Sequence, residues 1–144
     1  MKIVVQRVRS ASVTVDNNVI GSINSGFLLL VGIGHEDTKE DAVRLAKKIS
    51  SLRIFSDEND KTNLSILDVR GALLVVSQFT LMADCSHGNR PSFTAAAKPD
   101  TAKALYEFFV EECRKYISNV QTGEFGADML VSIENDGPFT VILE

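Results

Sequence analysis

"GFLLLVGIGHEDTKEDAVRLAKKISSLRIF", residues 26–55, changes its period halfway along. Gly26 to Gly34 is almost continuously apolar, as a central strand covered on both faces requires. From Asp37 onward the apolar residues spread out. Val43, Ala46 and Ile49 recur on one helical face, with Ala42 and Leu45 beside them. Asp37 or Thr38 supplies the N-cap, and Glu40 or Asp41, three residues later, fits a capping box. A buried strand therefore runs directly into an amphipathic helix, and the fold must accommodate both.

Upstream, "KIVVQRV" (2–8) is β-branched and reads as a strand, and residues 10–23 read as a hairpin about Asp16-Asn17-Asn18. Downstream, short strand fragments flank a charged loop from Ser56 to Asn63, and "ALLVVSQF" (72–79) is another buried strand. Pro99 and Asp100 open a second helix. Its helical spacing turns Leu105 and Cys113 toward the core. The end, "ADMLVSIENDGPFTVILE" (127–144), is two alternating runs joined at Asn135-Asp136-Gly137-Pro138. Seven or eight strands and two long helices are too few helices for regular βαβ alternation. The expected class is α/β (α+β-like): a strongly curved, barrel-like mixed or antiparallel sheet with two main helices, in a single domain over 1–144.

Composition narrows the function. The chain has 144 residues, a formal net charge of −4, 44% hydrophobic residues and no Trp. That argues against a general DNA or RNA coat, which would be basic. It leaves room for a local basic patch that holds one end of a nucleic acid. Lys2, Arg7 and Arg9 lie together near the start, and Arg44, Lys47 and Lys48 share the first helix; solvated surface charge accounts for most of these. Two cysteines build no disulfide framework and no C-x-x-C zinc site. "MKIVVQRVRS" has no apolar core of a signal peptide, and no apolar run is long enough to span a membrane. The expected setting is the reducing cytoplasm, with no membrane partner.

The dense polar end of the strand at 72–79 is the first candidate site. Ser77, Gln78 and Thr80 surround Phe79, and the loop beyond carries Cys85, His87, Asn89 and Arg90. Cys85 with His87 is one option, a thiol and a base two residues apart, but such pairs ordinarily come from distant segments, so a loop thiol and a solvated histidine are favoured. Their spacing matches no metal-ligand pattern. Ser77 and Thr80 lack an evident base, and such hydroxyls commonly satisfy backbone groups at a strand end. The backbone offers another route: N–H groups freed where a strand breaks can form an oxyanion hole. The second candidate is "NDGPFT" (135–140). Its local pattern favours a hairpin turn, with a cis Gly137–Pro138 bond as the alternative.

Together these segments resemble the D-aminoacyl-tRNA deacylase family, long called D-tyrosyl-tRNA deacylases. The resemblance rests on "SQFTL" (77–81), "AD" (83–84), "RPSF" (90–93), "NDGPFT" (135–140) and the opening "MKIVVQRV", in order across the full chain. It implies hydrolysis of the ester joining a D-amino acid to the 3′-terminal adenosine of tRNA, with no metal or organic cofactor and no DNA partner. It implies a homodimer with active sites at the interface, Ser77, Gln78, Phe79 and Thr80 lining each pocket. Gly137 and a cis Pro138 would reach into the partner's pocket as a chiral filter. An aminoacyl ester is already activated, so a backbone N–H of Phe79 or Thr80 and an oriented water could suffice, with Thr80 as a covalent nucleophile the alternative.

Overall fold

In the computed structural model, which describes residues 1–144, eight strands and two α-helices are arranged about one mixed sheet. Strands β1 (Lys2–Val15), β2 (Asn18–Ile23) and β3 (Gly26–Gly32) form an antiparallel group. After helix α1 (Lys39–Ser51) come β4 (Arg53–Ser56) and β5 (Thr62–Ser65), a separate two-stranded ribbon. Strand β6 (Ala72–Ser77) returns parallel to β3. Helix α2 (Pro99–Arg114) then leads to β7 (Val120–Thr122), parallel to β6, and β8 (Leu130–Leu143) closes the chain. The order is β2-β1-β3-β6-β7, with β8 on β1. The two parallel pairings need long crossovers, and each helix sits in one of them. The expected α/β class with a curved sheet and two helices is what the chain adopts.

The expected cap is present. The Thr38 hydroxyl accepts from the Asp41 N–H at 3.3 Å, and the Asp41 carboxylate accepts from the Thr38 N–H at 2.9 Å. Ala42, Leu45, Ala46 and Ile49 are buried, together with Phe109 and Cys113 of α2, against Ile3, Val5, Phe27, Leu29, Leu73 and Val75. Burying each large aliphatic side chain contributes roughly 1.5–3 kcal/mol. The opposite sheet face forms a second cluster, Val8, Ala11, Val13, Ile23, Leu28, Leu74 and Val76.

Strand β1 sends odd-numbered residues to both clusters, which strict alternation forbids. Ile3 and Val5 face the helices, whereas Ala11 and Val13 face the other side. The switch lies where Val8 pairs with Asn135 and Ser10 with Glu134: one extra β1 residue is a bulge that turns the strand over. Beyond it, β1 and β2 curl over the second face. A Cβ at Gly21 would lie 2.7 Å from the Thr122 carbonyl oxygen, so β2 all but touches β7 and nearly closes a barrel.

Two local readings change. The segments 2–8 and 10–15 are one continuous strand, not a strand followed by a separate hairpin arm. The 135–138 segment is not a hairpin turn. β8 keeps β1 as its partner on both sides, and between Asn135 (opposite Val8) and Thr140 (opposite Gln6) it carries a wide bulge. Turn-type residues here serve an outward loop within one strand, because β1 is long enough to pair with both runs.

Candidate active site

Strand β6 ends at Ser77, where the chain turns into a 3-10 turn, Phe79–Met82, laid across β3. The approach is close: a Cβ at Gly32 would lie 2.8 Å from Leu81 Cβ. The Gln78 N–H still donates to the Val31 carbonyl at 2.8 Å, as the last rung of the sheet. The turn's own ladder begins with Leu81 N–H to Gln78 O, 3.2 Å, and continues with Ala83 N–H to Thr80 O, 3.1 Å. The N–H groups of Phe79 and Thr80 precede that ladder and are not spent in it. Side-chain orientation is fixed locally: the Gln78 amide donates to the Thr80 hydroxyl. The Phe79 ring is more than half exposed and meets Phe93 edge-on at 5.2 Å.

Phe93 arrives there because the loop after the turn doubles back. Asp84 and Ser92 pair through both backbone bonds, Asp84 N–H to Ser92 O at 2.8 Å and Ser92 N–H to Asp84 O at 2.9 Å. Hydrogen bonds from Ser86, side chain and then backbone, hold the Asp84 carboxyl below its ordinary range. The "SQFTL", "AD" and "RPSF" stretches thus meet in one exposed edge. Cys85 and His87 lie out on this loop, both exposed.

Gly137 and Pro138 occupy the β8 bulge, exposed, with their peptide bond cis. Gly137 has φ +126°, a conformation open to glycine and strained for other residues. Arg7 holds this bulge at its base. Its guanidinium donates to the Ile54 carbonyl at 2.6 Å and the Asp136 carbonyl at 3.1 Å, pairs with the Asp136 carboxylate at 3.5 Å, and lies 4.7 Å from the centre of the Phe139 ring. Gln6 holds the flanks, its amide oxygen accepting from Asn135 and, at 2.7 Å, from the Thr140 hydroxyl. The sequence offers Arg7 only as one of three clustered cations. Its side chain is 12% exposed, which makes it a structural anchor and not solvated surface charge. Nothing in the local pattern distinguishes it from Arg9, 78% exposed.

One chain does not bring its two candidate segments together. Ser77 aligns with Val31, Val31 with Ile3, and Ile3 with Leu143. The bulge lies at the level of Arg7, four residues further along β1. Three strand spacings and four residues of rise separate Ser77 from it by roughly 20 Å along the sheet. Strand β8 meanwhile has no neighbour on its second edge, and Leu130, Ile133 and Ile142 face solvent.

Among solved structures, this architecture is similar to that of a protein described as a c-Myc DNA Unwinding Element Binding Protein. The TM-score is 0.95 at 43% identity, covering 100% of this chain and 98% of the other. It is also similar to a probable eukaryotic D-amino acid tRNA deacylase, with a TM-score of 0.86, coverage of 99% and 97%, and 17% identity, a likeness of fold alone. The fold and its exposed strand-end edge therefore define a class already seen in solved proteins. In sequence, the family model for D-Tyr-tRNA(Tyr) deacylase matches residues 4–144. Proteins named D-aminoacyl-tRNA deacylase from Bacillus cytotoxicus (58% identical, covering 100% of this chain and 99% of the relative) and Thermosipho africanus (55%, 100% and 97%) match over 144 residues. The chain belongs to the D-Tyr-tRNA(Tyr) deacylase family. Membership places it among hydrolases that act on aminoacyl-tRNA.

Proposed function

We propose that the domain, residues 1–144, hydrolyses the ester of D-aminoacyl-tRNA in the cytoplasm as a homodimer, and so removes D-amino acids before translation uses them. The observation that carries the reading is the separation of the two candidate segments within one chain, joined to the open face of β8. An unpaired strand edge with exposed Leu130 and Ile142 favours pairing with a second copy. A two-fold assembly would bring the Gly137–Pro138 bulge of one copy to the Ser77–Thr80 edge of the other, giving two equivalent sites.

The chemistry asked of each site is modest. The carbonyl oxygen of the ester receives hydrogen bonds from the Phe79 or Thr80 N–H, which the 3-10 turn leaves outside its ladder. Such preorganised donors stabilise the tetrahedral oxyanion. Water attacks, helped by the vicinal ribose hydroxyl, and the ribose oxygen leaves. Ser77 and Gln78 shape the edge and orient Thr80. Chirality is read by backbone: the Gly137 and Pro138 carbonyls crowd the position an L side chain would take and accept hydrogen bonds from the substrate ammonium. A D side chain points away, and glycine passes the filter, so glycyl-tRNA is also cleaved at high enzyme concentration.

A second reading, a module that binds nucleic acid without turnover, draws on the DNA-binding description of the similar structure. The net charge of −4 favours the first. The deciding assay follows amino-acid release from D-, L- and glycyl-tRNA at catalytic protein concentration, with light scattering for mass. Release from the D form alone at low enzyme, by a species of twice 15.7 kDa, is expected. Binding without release, or equal rates on D and L forms, would sink the proposal. Thr80→Ala should keep measurable activity, and no acyl-enzyme should be trapped on Thr80 in the wild type.

A further inference from the structure

Helix α1 carries a basic stripe that the catalytic reading leaves unused. Arg44, Lys47, Lys48 and Ser51 recur at helical spacing on its solvent side, opposite Ala42, Leu45, Ala46 and Ile49. With Leu143 and Glu144 of the chain's end they line an open groove of about 410 Å³. Its charges are not all alike. Arg44 is engaged by the Asp41 carboxylate at 3.1 Å and the Glu144 carbonyl at 3.2 Å, and Lys2 pairs with the Glu144 carboxylate at 3.1 Å. Lys47 and Lys48 have no ion-pair partner. In a chain of net charge −4, these two place adjacent positive charge beside one groove.

The place of the groove matters more than its charge. Leu143 pairs with Ile3, Ile3 with Val31, and Val31 with Ser77, so groove and catalytic edge stand at the same end of the sheet. Three strand spacings put Leu143, on the wall of the groove, roughly 14 Å from Ser77. A stacked nucleic-acid strand rises about 3.4 Å per nucleotide, so that gap takes about four nucleotides. This is the length of the unpaired 3′ tail of a tRNA. We propose that Lys47 and Lys48 bind the sugar–phosphate backbone of the acceptor stem, where pairing begins, while the 3′-terminal ester lies at the Ser77–Thr80 edge. The inference rests on the deacylase reading, and it assigns the groove to duplex RNA.

The test compares wild type with the double variant Lys47→Ala/Lys48→Ala. Both side chains are exposed, and alanine is a good helix former. The probe for binding is an uncharged acceptor-stem hairpin with its four-nucleotide tail, titrated by fluorescence anisotropy from 50 to 200 mM salt. Losing two phosphate contacts should flatten the log–log salt slope by roughly 1.4–1.8, so wild type weakens about 7–12-fold more than the variant over that range. Lys47→Arg/Lys48→Arg should restore the slope. In kinetics, KM for D-tyrosyl-tRNA should rise with kcat unchanged, while D-tyrosyl-adenosine, which lacks a stem, is cleaved as by wild type. An unchanged salt slope in the alanine variant, or an equal loss on the adenosine ester, overturns the assignment. A wild type that cleaves neither ester removes the deacylase reading instead, and the hairpin titration still decides the groove.

Discussion

Removing the Arg7 side chain should cost both stability and chiral discrimination. Arg7 bridges β1, the β4 carbonyl of Ile54 and the base of the β8 bulge. Hydrogen bonds to a charged group contribute about 1.5–3 kcal/mol each, and truncation leaves both carbonyls without their donor. Asp136 is about one-third exposed, so water replaces part of what it loses. The contact with the Phe139 ring adds about 0.5–1 kcal/mol. Arg7→Ala should therefore destabilise the fold by about 3–5 kcal/mol, a fall in Tm of roughly 10–15 °C at this chain length. Arg7→Lys keeps a charge but loses the planar fork that reaches two carbonyls, and it should recover about half of that. Urea unfolding gives the free energies, and paired hydrolysis of D- and L-aminoacyl-tRNA gives the selectivity. The D-to-L rate ratio should drop in both variants, further in alanine, because the bulge loses its anchor. If Arg7→Ala unfolds within about 1 kcal/mol of wild type and keeps the full ratio, the anchor argument fails.

Gly137→Ala should be destabilised by about 1–3 kcal/mol, since φ +126° suits only glycine and a Cβ there would lie 3.1 Å from both the Phe139 nitrogen and an Arg7 nitrogen; thermal unfolding checks it, and a stability gain would contradict it. In the native protein a thiol reagent should label Cys85, which is exposed, and spare Cys113, whose thiol burial pushes up to about 12. Mass spectrometry reads the sites, and loss of deacylation on Cys85 labelling alone would revive a thiol mechanism. Asp41 is lowered from 3.8 to about 2, first by the Thr38 backbone N–H and then by Arg44. A carboxyl lowered on folding stabilises fully above about pH 4 and loses that contribution as pH falls through about 2. The stability gap between wild type and Asp41→Asn should therefore close over that interval, and a gap that widens there would refute the capping account.

Short-range information carried much of the architecture. The α1 boundary follows from Thr38 and Asp41, because a capping box is satisfied by residues three apart and needs no distant partner. Burial of β3 and β6 follows from runs such as "FLLLV" and "LLVV", which only a doubly covered strand can hide. Ser77 to Thr80 were legible as a polar break in an apolar strand, and the structure turns that break into a 3-10 turn with two backbone donors outside its ladder. What needed the tertiary structure was anything set by pairing between distant segments. Asn135 to Pro138 carry the residues of a hairpin turn, yet they form a bulge, since β1 is long enough to pair on both sides of them. Arg7 and Arg9 have the same side chain two residues apart in one strand. The bulge that reverses β1 between its two cores, and the carbonyl of Ile54 arriving from β4, make the first an anchor and leave the second largely exposed, touching only the Asp136 carboxylate at 3.4 Å. A sequence states which groups are present and their local period, whereas which carbonyls a guanidinium meets depends on contacts between residues far apart in the chain.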